Sequence, residues 1–221
     1  MAETGTRIAV WDIPVRLFHW SLAGLIAFAW WSAETHHLDW HKIAGSLIAG
    51  LLVFRLWWGV FGGSTARFAD FVRGPGAILD YLRGKAKGLS AGHNPLGALS
   101  VLALLLAALT VVVSGLFTVD TDGIESGPLS NLVDFDQGRI AAEIHGYGFN
   151  VLEVLVVLHL VAIAWYAFVK RDGLIGAMLH GKRTARGEMA AMKPARLWAL
   201  VVGLILGGGV AAYLIHLSAL S

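Results

Sequence analysis

Residues 144–169, IHGYGFNVLEVLVVLHLVAIAWYAFV, form an apolar run that carries two histidines, His145 and His159. A helix crosses the hydrocarbon of a bilayer with about 20 predominantly apolar residues, so this run is long enough to span. The histidines lie 14 residues apart. On an α-helix that is close to four turns, so both imidazoles project from nearly the same face, roughly 21 Å apart along the axis. One stands near each side of the membrane. An imidazole in hydrocarbon is costly without a partner, and two on one face predict a metal, a cofactor or a polar cavity beside this helix.

Four further apolar runs surround it, at residues 15–33, 41–61, 96–118 and 197–217. The chain has 221 residues, 57% of them hydrophobic and only 14% charged, which places it among polytopic membrane proteins rather than soluble domains. A single all-α transmembrane domain over 1–221 is expected. The first run competes with a signal peptide, since Arg7 and Arg16 flank it. Its length, its tryptophans and the spans that follow favour a true membrane helix. There is no cysteine, which excludes disulfides, thiolate metal sites, iron–sulfur clusters and covalent heme attachment through C-x-x-C-H. The net charge of +2 gives no reason to expect nucleic acid as a partner.

Charge is divided unequally among the connections. Residues 62–95 carry Arg67, Arg73, Arg83, Lys85 and Lys87 against Asp70 and Asp80, and residues 170–196 carry seven Lys and Arg. Residues 119–143 are acidic, with Asp120, Asp122, Glu125, Asp134, Asp136 and Glu143 against Arg139 alone. Basic connections follow spans two and four. The positive-inside rule then predicts an N-terminus in the cytoplasm and a C-terminus outside.

This topology assigns a depth to each histidine. His19 and His159 fall near the cytoplasmic ends of their spans, His41 and His145 near the external ends. The depths pair His41 with His145 and His19 with His159. Heme iron accepts two axial imidazoles from facing helices, and helix-bundle cores recur as cofactor sites. Zinc wants three or four ligands close together, whereas each depth supplies two. Two heme b groups within the helix bundle are the expectation. Ala23, Gly45 and Gly148 lie within one turn of ligand histidines, which suits either a bulky porphyrin or close helix contact.

The motifs WDIPVRLFHW at 11–20, HKIAG and RLWWGVFGG between 41 and 63, GHNPLGALS at 92–100, HGYGFN from His145 and LIGAMLHGK at 174–182 resemble the prokaryotic cytochrome b561 family. That group is related to the b-type cytochrome subunits of nickel–iron hydrogenase and formate dehydrogenase. The resemblance covers roughly residues 8–184. It implies four helices binding two b hemes through His19, His41, His145 and His159, in the pairing that depth gives. It also implies electron transfer between the quinone pool and a redox partner outside the membrane, such as a c-type cytochrome, dehydrogenase or hydrogenase. Some members oxidise superoxide and reduce quinone instead. A rival from another class is a non-redox transporter using the histidines as proton relays.

Several other residues carry specific expectations. Arg55 lies 14 residues after His41, at the depth of His19 and His159, and with Arg16 is a candidate partner for a heme propionate. Snorkelling to the headgroups is the alternative for both. Glu153, between the two histidines of span four but about 80° around the helix from His145, is expected to hydrogen-bond a neighbouring helix. A proton path is the other reading. The HHLDWH stretch at 36–41 reads as solvated loop for His36 and His37, against a metal or quinol contact. His93, His180 and His216 have no partner at their depth. The acidic outer connection, with Asp120, Asp122, Asp134 and Asp136, is suited to dock a basic redox protein. Gly203-x-x-x-Gly207 predicts a close helix contact, either with the core or with a partner subunit or second copy through the fifth helix.

Overall fold

The computed structural model describes residues 7–72, 74–85, 92, 94–122, 125–184 and 191–220. In chain order it forms strand β1 (Arg7–Ala9), helices α1 (Ile13–Glu34), α2 (Leu38–Phe61), α3 (Phe68–Phe71), α4 (Pro75–Leu82), α5 (Pro95–Leu116), α6 (Phe135–Phe168) and α7 (Leu174–His180), strand β2 (Lys182–Thr184) and helix α8 (Leu197–Ser218). Five of these, α1, α2, α5, α6 and α8, are long and apolar enough to cross a membrane. The protein is an all-α integral membrane bundle.

Three of the spans, α1, α5 and α6, begin where a side chain satisfies a free amide of the first turn. Asp12 accepts from the Val15 amide at 2.9 Å at the head of α1, and Asn94 accepts from Gly97 at 2.7 Å at the head of α5. Each is followed by a proline in the first turn, where the missing N–H costs nothing. At the head of α6, Asp134 and Gln137 form a reciprocal capping box. This corrects the boundary of the fourth span: the helix begins at Phe135 and carries Glu143 within it, whereas hydropathy places its start at 144. Capping decides where a helix starts, and hydropathy decides only which part sits in lipid.

The polar connections also hold structure that composition does not announce. Residues 62–95 contain α3 and α4, and the leading segment contributes β1, which pairs antiparallel with β2 with Ile8 opposite Arg183. Together with the α7 segment this cap closes the end of the bundle where α1 begins, hereafter the near end. Thr65 Oγ1 donates to the Val10 carbonyl, and Ser64 and Met192 add backbone links to Lys193 and Ala9.

Helix α2 is the hub. It packs on α1, α5 and α8, and 56% of its apolar window is buried against 6% for α6. Its core residues split into two clusters. Phe54 and Trp58 join Val10, Trp11, Val15 and Phe18 toward the near end. Ala44, Ile48 and Leu52 join Ala29, Ala107, Ala108 and Leu152 toward the far end. Helix α6 lies along α5, with no comparable packing on α1. Helix α8 seats its Gly203–Gly207 face on α2, and Trp57 Nε1 donates to the Ala199 carbonyl at 2.8 Å. The opposite face, including Leu204 and Ile205, is exposed.

Candidate functional site

His41 stands one turn into α2, and His145 projects from α6 at the same far-end depth. Their ring centroids are 5.9 Å apart and the rings are inclined at 84°. Each ring is fixed by a backbone carbonyl: His41 Nδ1 is 2.8 Å from the Ala29 oxygen and His145 Nδ1 is 2.8 Å from the Val111 oxygen. A carbonyl can only accept, so both Nδ1 atoms carry the proton and both Nε2 atoms keep a free lone pair. That is the tautomer of a metal-ligating imidazole with its outer-shell partner in place.

Gly115 on α5 makes room for this ring. A β-carbon there would lie 2.8 Å from both Cε1 and Nδ1 of His145. Neither this glycine nor the Ala29 and Val111 carbonyls emerge from spacing arguments. A glycine near the far end of α5 is the one signal in the sequence for the room made beside His145, and nothing in it marks the two carbonyls.

At the near-end depth stand His19 of α1 and His159 of α6, both half-buried. His19 Nδ1 is buried and has no hydrogen-bond partner among the described residues, and its ring meets Trp20 edge-on at 4.9 Å. The structure sets His41 and His145 ring to ring and leaves His19 and His159 at the opposite depth.

Arg55 belongs to the near-end group. It is only 4% exposed, so it does not snorkel. Its guanidinium carbon lies 4.8 Å from the Phe68 ring centroid and 6.0 Å from that of Phe18, the neighbour of His19. The Nη1 group is buried without a hydrogen bond among the described residues. Asp12 is the carboxylate whose charge reaches it, but that carboxylate already accepts from the Val15 amide and from Trp58 Nε1 at 3.0 Å. A buried, half-satisfied cation is completed by an acidic group. The orphaned Arg55 and His19 nitrogens, the anchored outer imidazoles and the open space beside Gly45 all fit a flat, metal-bearing, acid-substituted cofactor.

The remaining expected residues fall elsewhere. Arg16 donates Nε to the Met178 carbonyl at 3.2 Å and Nη2 to the Leu179 carbonyl, so it holds the end of α7. Gly148 serves helix packing: a β-carbon there would meet Val111 at 3.2 Å. Ala23 is exposed. Glu153 is exposed on α6 and makes no hydrogen bond among the described residues, contrary to the expected link to a neighbouring helix. Its position off the histidine face leaves it outside the α5–α6 contact.

His37 caps α2 and packs its ring against Trp31 at 5.9 Å, and His36 is exposed. His180 and His216 are exposed at helix ends. Among the described residues no three of His, Asp or Glu converge on a metal site, so the HHLDWH stretch does not gather one. Within the acidic connection, Asp134 is spent on the α6 cap and Glu125 pairs with Lys42 at 3.4 Å. Arg73, Lys87, His93 and Arg186 lie outside the described residues.

One network was absent from the sequence reading altogether. The Tyr81 and Tyr166 hydroxyls share a hydrogen bond of 2.8 Å, and Asn94 Nδ2 donates to the Tyr166 oxygen at 2.8 Å. It ties α4, the head of α5 and the end of α6 at the near end.

A family model described as prokaryotic cytochrome b561 matches residues 10–181. That region contains the four paired histidines and Arg55 and ends before α8. No curated protein matches the chain.

Proposed function

The chain belongs to the prokaryotic cytochrome b561 family, membrane b-type cytochromes of electron transfer, and from that premise we propose that it is a diheme carrier linking the quinone pool to a periplasmic redox partner. The observation that supports the reading is the far-end imidazole pair, 5.9 Å apart with each Nδ1 against a backbone carbonyl, together with a second pair of histidines at the near-end depth. In this assignment His41 and His145 hold the outer heme b, His19 and His159 hold the inner one, and the near end is cytoplasmic. The heme supplies one-electron chemistry when bound.

The chain's own residues do the rest. Ala29 and Val111 fix the orientation of the outer imidazoles through their carbonyls. Gly115 admits the His145 ring, and Leu52, Ala107, Ala108 and Leu152 keep water from the space between the two depths. Arg55 offers its unpaired Nη1 to an inner propionate, while Arg16 acts indirectly by pinning α7. Two histidines per iron leave no open coordination position, which favours electron transfer over oxygen binding. The outer face, with Asp120, Asp122 and Asp136 exposed, suits a basic partner.

The test is a pyridine hemochrome count on detergent-purified wild type, His145→Ala and His159→Ala, followed by reduction with a short-chain quinol. Two b hemes per chain, one lost in each variant, and reduction by quinol are expected. A colourless wild type, or a single heme indifferent to both substitutions, overturns the reading in favour of a non-redox transporter. Hemes that quinol cannot reduce overturn the quinone link.

A further inference from the structure

We propose that the groove between α5 and α6 at the far end is the docking surface for a basic, water-soluble redox protein, which seats an apolar side chain against Ile140 while its lysines meet the carboxylates around it. The redox role of that partner rests on the function proposed above. The docking surface itself rests on the shape and charge of this end of the chain.

Helix α6 overhangs the bundle here. It begins at Phe135, ten residues before His145, whereas α2 begins three residues before His41 and α5 ends one residue after Gly115, which packs on the His145 ring. Ten residues of helix are roughly 15 Å long. Residues 135–143 carry Asp136, Arg139 and Glu143, against Glu153 alone in residues 144–169, so the overhang stands in water, beyond the part of the helix that lipid surrounds. On it Ile140 is 57% exposed. At that height no acyl chain covers an isoleucine, and an apolar patch with a polar rim in water marks a protein contact.

Ile140 has apolar company and an acidic frame. With Phe117, Val133 and Ile144 it lines an open groove of about 520 Å³. Asp136 and Glu143 stand four residues before it and three after, hence beside it on the helix surface, and both are exposed. Residues 34–42 and 119–143 together hold eight carboxylates against two Lys and Arg, Lys42 and Arg139. Both cations are engaged: Lys42 pairs with Glu125 at 3.4 Å, and Arg139 Nη1 donates to the Val119 carbonyl at 3.3 Å. Such a surface attracts a basic protein and repels small anions. Ser114 and Ile144, in the groove wall, are the chain neighbours of Gly115 and His145, so a docked partner comes to rest beside the outer imidazole pair.

The test uses the full-length protein in nanodiscs of zwitterionic phosphatidylcholine. The probe is a soluble, basic c-type cytochrome, with the same cytochrome made acidic by succinylation as control, and Kd is measured at low and at high salt. The native cytochrome should bind wild type and the succinylated form should not. Ile140→Ser should weaken binding about tenfold or more at both ionic strengths, through the loss of one buried aliphatic contact. Asp136→Asn combined with Glu143→Gln should weaken it at low salt alone. Phe135→Ser removes an equally exposed side chain from the same overhang, about 140° around the helix from Ile140, and should bind as wild type does. Failure of wild type to bind the native cytochrome, equal binding of the succinylated form, or wild-type affinity in Ile140→Ser overturns the proposal. So does pairing of two copies that Ile140→Ser abolishes, which assigns the groove to a second copy of the chain. A count below two hemes alongside the expected binding leaves the docking surface standing and defeats the diheme reading.

Discussion

Gly50 of α2 and Gly207 of α8 touch backbone to backbone. A β-carbon on Gly50 would stand 2.4 Å from the Gly207 carbonyl oxygen, and one on Gly207 would stand 2.6 Å from that of Gly50. The fifth helix is thus seated on the hub of the bundle by the absence of two side chains, in the manner of small-residue contacts between helices in lipid.

Gly207→Val forces α8 away from α2. An overpacked contact of this kind costs about 1–3 kcal/mol, so the variant should unfold at a lower temperature in detergent than wild type. Gly208→Val, at a position with open space around it, should unfold with wild type and serves as the control. Equal losses in both would mean that the Gly50–Gly207 contact contributes nothing.

Gly115→Ala drives a methyl group into the His145 ring, which must tilt off the Val111 carbonyl. The outer heme should then be lost or shifted in its reduced-minus-oxidised spectrum, while the inner one keeps its band. Heme content and α-band position read this directly, and an unchanged outer band would count against the assigned ring packing.

Tyr81 supplies a pH dependence. Burial raises its phenol from the usual value to about 12, helped by the hydrogen bond and proximity to Tyr166 and by the Asp172 carboxylate. The neutral phenol is favoured in the folded protein, so its contribution is fully present below the ordinary value of about 10 and is lost as pH rises from there through about 12. Thermal unfolding between pH 8 and 12 should show an alkaline decline in wild type that is shallower in Tyr81→Phe. Parallel curves would show that Tyr81 is not the group responsible.

The Lys42–Glu125 pair makes a contrasting case. Glu125 is 45% exposed, against 17% for Lys42, and pairs of this kind contribute about 0–1 kcal/mol. Glu125→Gln should leave the unfolding midpoint nearly unchanged, with any small loss disappearing as salt is added. A large, salt-independent loss would indicate a buried role for this pair.

Much of this architecture is legible in order along the chain. The five spans follow from hydropathy, since lipid rewards long apolar helices and little else. The neighbours among the histidines follow from depth, because 14 residues on a straight helix carry a side chain to the same face at the other side of the bundle. The motifs from Trp11 to Lys182 point to the family whose model matches residues 10–181. What stayed hidden is local and irregular. The first turns of α6 are polar and look like a loop until Asp134 and Gln137 are seen to cap them. Helices α3 and α4 are too short to show a period, and β1 meets β2 across most of the chain.

The sequence by itself determined that this protein lives in a membrane, that its spans are helical, and which histidines share a depth, because those properties depend on composition and helical repeat alone. Only the tertiary structure decided how the histidines are held, since the carbonyls that fix them belong to other helices, at Ala29 and Val111. It also decided that Arg55 is buried rather than snorkelled, that Arg16 is committed to α7, and that α8 rests on α2. Each of these depends on contacts between segments distant in the chain, where packing and the pairing of buried polar groups have the final word.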